Sequence, residues 1–267
     1  MERRGFIKRL GLGAAAVSAA GALSLPTFAK GKVAAAPFKL DFAPHFGMFK
    51  QHAPGGLVDE LRFMADQGFR SLEDNGLLKR SLAEQELIGK TLDQLGMRMG
   101  VFVVDGGDNW KVSLTTGKQE FLDNFVATCK ASVEAAKRVN AKWMTVVPGY
   151  FERNLPIGVQ TGNVIDALKR GAEIFEPHGM AMVLEPLSDN PDLFLRYADQ
   201  TYMICRGVGS PACKLLYDAY HMQRNEGNII ANINRTWDEI GYFQIGDNPG
   251  RNEPTTGEMN YKNIFKI

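Results

Sequence analysis

Two apolar spacings take turns along this chain. Short runs rich in β-branched and aromatic residues at 39–46, 69–73, 98–104, 142–147, 180–184, 214–217 and 242–245 predict strands. Between them, apolar residues recur every three or four positions. Residues 57–67 form the first such stretch, and Leu82, Leu87, Ile88, Leu92 and Leu95 mark the second. Phe121, Phe125, Cys129, Val133, Ala136 and Val139 share one helical face, as do Val164, Leu168, Ala172 and Phe175. Pro177 and Gly179 stop that last helix. Residues 192–204 and 229–238 predict two more helices, and a further one begins at 261–267. The turns Asp105-Gly106-Gly107-Asp108 and Pro148-Gly149 close the third and fourth strands.

Strand and helix alternating through short loops predicts a parallel sheet with helices outside it. Eight such units close a TIM barrel of about 250 residues. The fold class expected here is therefore α/β, a TIM (β/α)8-type barrel, with its eighth βα unit expected beyond Ile267. An open, doubly wound sheet is the competing arrangement. No Gly-x-Gly-x-x-Gly follows the first strand, so a dinucleotide site has no support.

Residues 1–36 break the pattern. Arg3, Arg4, Lys8 and Arg9 precede an uncharged run of Gly, Ala, Leu and Ser at 11–25, and small residues flank two cleavage points, after Ala29 and after Ala36. A charged start, a short apolar stretch and a small-residue exit are the parts of an export signal. Arg3-Arg4-Gly5-Phe6-Ile7-Lys8 resembles the twin-arginine motif. The expectation is a signal at 1–36, a barrel at 37–267, and export to the periplasm or beyond. The apolar run is too short to span a bilayer comfortably, so no membrane attachment is expected after cleavage.

Charge then narrows the partners. The whole chain carries 31 Lys and Arg against 30 Asp and Glu, net +1. Removing the leader leaves 25 bases and 29 acids, net −4. That balance argues against a phosphate-backbone binder, and no nucleic-acid partner is expected. Three cysteines, Cys129, Cys205 and Cys213, are too few for a disulfide scaffold and read as buried thiols.

Polar residues gather where strands end. Glu185 follows the apolar run 180–184, Asp218 follows Leu215-Leu216-Tyr217 with His221 three residues on, and Gln244 sits within Tyr242-Phe243-Gln244-Ile245. Barrel chemistry sits at the C-terminal ends of strands. A carboxylate at the end of an apolar strand is a costly place for a charge, and a divalent cation compensates it. Oxygen donors with at most one imidazole suit Mg²⁺ or Mn²⁺. Each residue alone has a plain structural reading: Asp218 as a helix cap, His221 as a hydrogen-bonded core residue, Gln244 as a backbone partner. Their arrival on three successive strands favours a site.

The segments Leu184-Glu185-Pro186-Leu187, Tyr217-Asp218-Ala219-Tyr220-His221-Met222-Gln223-Arg224-Asn225-Glu226-Gly227 and Gln244-Ile245-Gly246-Asp247-Asn248-Pro249-Gly250-Arg251-Asn252-Glu253-Pro254 resemble the hydroxypyruvate isomerase family. That family belongs with the xylose-isomerase-like barrels, beside ketose 3-epimerases and an apurinic endonuclease. The resemblance is strong over 180–267 and only architectural over 37–150. It implies Glu185, Asp218 and Gln244 as ligands of a divalent metal, with Glu185 also the acid/base of an enediolate proton transfer. It implies His221 and Arg251 as holders of substrate oxygens, with Glu73 and His45 lining the pocket. The implied substrate is a small hydroxy-keto acid or sugar, of the hydroxypyruvate/tartronate semialdehyde type. The family's second catalytic glutamate lies on the eighth strand, expected beyond Ile267. The family's usual histidine near the end of the third strand is absent from Val101-Phe102-Val103-Val104-Asp105. Competing functions are a ketose 3-epimerase, a sugar- or keto-acid-binding barrel without turnover, and a zinc-dependent DNA-repair hydrolase. The last would need a histidine-rich centre, and the chain has only His45, His52, His178 and His221. Homo-oligomerisation is left open.

Overall fold

A computed structural model describes residues 35–267. The export-signal reading falls, but for its last two residues, outside the described residues. The strands are β1 (Ser71–Leu72), β2 (Arg98–Met99), β3 (Val101–Val103), β4 (Trp143–Val146), β5 (Ala181–Leu184), β6 (Cys213–Asp218) and β7 (Ile240–Gln244). The helices are α1 (Leu57–Asp66), α2 (Leu82–Leu95), α3 (Gln119–Val139), α4 (Ile157–Phe175), α5 (Ala198–Val208), α6 (Ala219–Asn225), α7 (Ile229–Thr236) and α8 (Tyr261–Ile264). None of the described helices is long and apolar enough to cross a membrane.

All strand pairing is parallel and follows chain order. β3 to β7 form one sheet in sequence, β1 pairs with β2, and a single bridge joins His45 to Glu73 just after β1. The predicted strand 98–104 is split into β2 and β3 at Gly100, where a Cβ would collide with the Tyr242 hydroxyl. The predicted strand 39–46 keeps only the His45 bridge and a bond from the Glu73 N–H to the Pro44 carbonyl, 3.1 Å. Pro44 has no N–H to give a ladder. These are the parallel strands of a TIM barrel curled into an open arc. Among the described residues β7 pairs only with β6, so the arc stays open between β7 and residues 39–46.

Period-two alternation divides the core. Outward residues such as Met144, Met182, Leu184, Leu215 and Tyr217 pack with the helices in one large cluster. Inward Val101, Val183 and Leu216 pack with Trp143 and Tyr242 in a small separate cluster, the filled centre of the arc. Two residues further along, the same inward face carries Thr145, Glu185, Asp218 and Gln244. The sheet's geometry therefore collects polar side chains above an apolar plug.

Local chemistry fixes the outer layer. Ser81 and Glu84 form a reciprocal capping box at the start of α2, and Gly96 ends that helix in the left-handed conformation at φ 62°. Residues 192–197, read from the sequence as the start of a helix, are instead a loop. Their backbone partners are neighbouring loops: the Phe194 N–H donates to the Gly149 carbonyl, and the Leu195 carbonyl accepts from Leu187. The three cysteines are free and buried, as the sequence suggested.

Candidate active site

β5, β6 and β7 lie side by side, so their ends place Glu185, Asp218 and Gln244 on adjacent strands. Asp218 and Gln244 are direct register partners. Neighbouring strands are about 4.8 Å apart, and both side chains face inward. One ligating atom each from Glu185, Asp218 and His221 lies within 4.8 Å of the others.

Asp218 uses its two oxygens differently. Oδ1 accepts from the Tyr220 N–H at 2.8 Å and the His221 N–H at 3.4 Å, capping α6. Oδ2 faces Arg251 Nη2 at 3.0 Å and His221 Nε2 at 3.6 Å. One carboxylate thus caps α6 through Oδ1 and turns Oδ2 toward Arg251 and His221. α6 itself was missed in the sequence, because seven residues are too short to show a periodic face.

His221 is fully buried. The Ser188 backbone N–H donates to its Nδ1 at 3.2 Å, and the Ser188 hydroxyl lies 2.8 Å from the same atom. A backbone N–H can only donate, so Nδ1 is an acceptor and the neutral ring carries its proton on Nε2. Among the described residues that Nε2 has no partner within hydrogen-bond reach, with Asp218 Oδ2 at 3.6 Å, Glu185 Oε1 at 3.9 Å and Asp189 Oδ2 at 4.0 Å. In this tautomer His221 is a donor aimed into the site, with no lone pair free there for a metal. Burial holds the imidazole below its ordinary pKa against the pull of Asp218, and Arg251 adds to the lowering.

Glu185 stands at the centre. Burial first, then the Asp218 carboxylate, push its pKa well above the ordinary value, and Glu73 and Asp189 add to this. Arg251 opposes the rise. Two carboxylates in a dry pocket do not both ionise without a compensating charge.

Arg251 comes from the loop after β7. It has φ 53°, a left-handed conformation that the loop's own bonds enforce. The Asp247 N–H donates to the Asn252 carbonyl, and the Asp247 carboxylate accepts from Thr255 and Met259. Burial would raise the Asp247 pKa, but these backbone donors outweigh it and leave it lowered. Tyr261 closes the base of the loop, donating to the Gly246 carbonyl at 2.7 Å and accepting from the Gly246 N–H at 3.1 Å. The Arg251 guanidinium sits 5.0 Å from the Tyr220 ring centre.

Glu73, His45 and Gln244 form an adjoining group. Gln244 Nε2 donates to Glu73 Oε2 at 2.9 Å, and His45 Nε2 lies 3.1 Å from the same oxygen. A cavity of about 840 Å³ follows the opening of the arc beside β7 and reaches Glu73, Asp218, Gln244 and Arg251. The sequence reading missed Ser188, Asp189, Tyr220 and Thr145. Thr145 Oγ1 is buried on the inward face of β4 without a partner among the described residues, a position that alternation alone points out.

The residues present fit a divalent cation. Glu185 and Asp218 supply hard carboxylate oxygens, and Gln244 Oε1 is buried with no hydrogen-bond partner among the described residues.

A family model described as xylose isomerase-like TIM barrel matches residues 61–267. The chain belongs to the xylose isomerase-like TIM barrel family. Within that family it is similar to the 2-oxo-tetronate isomerase of Cupriavidus necator, 26% identical over 82% of this chain and 84% of that protein. It is similar also to the hydroxypyruvate isomerase of Escherichia coli, 30% identical over 153 residues. That second match covers 56% of this chain and 57% of the E. coli protein, so the chain spans little more than half the length of that relative. Solved xylose isomerase-like folds agree in architecture. An AP endonuclease, family 2, from Brucella melitensis superposes with a TM-score of 0.73 at 20% identity, covering 84% of this chain and 86% of that one. A 3-keto-D-glucoside 4-epimerase from E. coli gives 0.71 at 20% identity, covering 85% and 86%.

Proposed function

We propose that this protein is a metal-dependent isomerase of small hydroxy-keto acids, interconverting a hydroxypyruvate-type 2-keto acid with its 2-hydroxy aldehyde. The observation that carries this reading is the buried Glu185–Asp218 pair with a histidine N–H and an arginine turned onto it. Curated relatives named for hydroxypyruvate and 2-oxo-tetronate isomerisation support the substrate class. Arg251 supports an acid over a neutral sugar, since its planar fork matches a carboxylate.

Glu185, Asp218 and Gln244 would hold the cation, with Mg²⁺ or Mn²⁺ suited to such donors. When bound, the cation supplies Lewis acidity to the substrate's adjacent oxygens and the positive charge that lets both carboxylates ionise. Glu185 then accepts the C3 proton of the substrate. The C3–H electron pair becomes the C2–C3 double bond of an enediolate. Return of that proton to C2 and transfer of the hydroxyl proton between the two oxygens complete the isomerisation. His221 donates its Nε2–H to a substrate oxygen, and Arg251 orients the carboxylate.

The test is proton NMR of hydroxypyruvate in D₂O with the full chain and Mg²⁺. The expected result is protein-dependent loss of the C3 proton signal, abolished by EDTA and by Glu185→Gln. No exchange above the protein-free control, with hydroxypyruvate and with other small keto acids and keto sugars, contradicts the proposal. We infer further that the leader is a twin-arginine signal and that the protein is folded and metal-loaded before export.

A further inference from the structure

We propose that Glu73 is a positioning residue that locks the side-chain amide of Gln244 with its oxygen turned into the site. The inference rests on the cation site proposed above and adds a residue to its function.

An amide has an acceptor end and a donor end of nearly the same shape, and a metal can use only the oxygen. Nothing in the backbone of β7 chooses between the two orientations. A neighbouring carboxylate oxygen does choose, because it takes a hydrogen bond from the amide nitrogen and none from the amide oxygen. The atom 2.9 Å from Glu73 Oε2 must therefore be the nitrogen of Gln244. Oε1 is then forced the other way, where it is buried without any partner among the described residues. A buried carbonyl oxygen left free is rare and costly unless something else meets it.

Glu73 is itself held rigid. It is 4% exposed and follows β1 directly. His45 Nε2 meets the same Oε2 at 3.1 Å. Three segments far apart in sequence thus meet at one carboxylate across the opening of the arc. Partners one step behind a metal ligand typically change affinity about 10- to 100-fold when removed. A role restricted to lining the pocket would change substrate affinity and leave the metal untouched.

The experiment measures Mn²⁺ binding to the full chain by titration calorimetry, without substrate. Glu73→Leu removes the acceptor at similar size and is expected to weaken Mn²⁺ about tenfold or more. Glu73→Gln keeps an acceptor oxygen and is expected to retain most of the affinity. In a Gln244→Ala background, Glu73→Leu is expected to cause no further loss, because there is no amide left to orient. Unchanged affinity in Glu73→Leu, or losses that add in the double variant, overturns the inference. A second reading needs no substitution at Glu73. The Gln244 side-chain amide protons of the metal-free wild type, assigned by their disappearance in Gln244→Ala, are expected to exchange slowly with D₂O. Rapid exchange overturns the inference as well. Wild-type protein that binds no Mn²⁺ removes the cation site itself, and this inference with it, whereas wild-type binding with an insensitive Glu73→Leu removes this inference alone.

Discussion

The residue that sets the terms of the site is Glu185. Its environment favours the protonated form, so without a cation the fold gains from keeping it neutral. The sign follows directly: a folded pKa raised above the unfolded one gives stability that is present in acid and lost as pH rises through the folded value. Glu185→Gln is neutral at every pH. We expect this variant, metal-free, to have a higher melting temperature than wild type near pH 8 and one close to it near pH 4, while losing all C–H exchange. Melting curves at the two pH values check this. A variant less stable than wild type at pH 8 would mean that Glu185 is already compensated within the protein. His221 shows the same economy at atomic scale. One backbone N–H on Nδ1 decides which nitrogen carries the proton, and so separates a substrate donor from a metal ligand.

At the scale of elements, the loop after β7 and the short α8 act as one unit. Tyr261, the first residue of α8, satisfies both the N–H and the carbonyl of Gly246. Removing its hydroxyl leaves two buried backbone groups unmet, each at a cost of about 1–3 kcal/mol. Tyr261→Phe is therefore expected to lower stability by a few kcal/mol in urea unfolding, and to weaken Arg251-dependent substrate binding more than Mg²⁺ binding. Equal stability of Tyr261→Phe and wild type would contradict this role. How much of this could be read from the chain varies by element. Helices with long apolar faces, such as α3 and α4, were legible because 3.6-residue periodicity leaves a mark over 19 or 21 residues. The loop at 192–197 misled because Leu193, Phe194 and Leu195 are buried like helix residues while their backbone bonds go to other loops. The candidate site was legible where a single acid ended an apolar strand, as at Glu185 and Asp218. It was illegible where position depends on three-dimensional neighbours. Nothing in sequence places Ser188 on His221, or Glu73 against Gln244 171 residues away.

The described residues 35–267 form an arc of parallel strands whose inward face changes from apolar to polar within two residues. That change, on successive strands, makes a site out of individually ordinary side chains. The arc opens beside β7, and the Glu73 side chain bridges the opening by accepting from Gln244, while its backbone pairs with residues 44 and 45. The export reading also belongs to this scale. Exchanging Arg3 and Arg4 for lysine is expected to leave the protein in the cytoplasm, measured by fractionation of cells expressing the full chain. Unimpaired export of that double variant would contradict the twin-arginine reading.

The central claim is that Glu185, Asp218 and Gln244 converge on one divalent cation. Anomalous diffraction from crystals grown with Mn²⁺ tests it most directly. The account predicts a single strong peak in contact with a carboxylate oxygen of Glu185, a carboxylate oxygen of Asp218 and the Gln244 side-chain oxygen. No peak there at saturating Mn²⁺, or a peak bound by His221 Nε2 with Gln244 turned away, would contradict it.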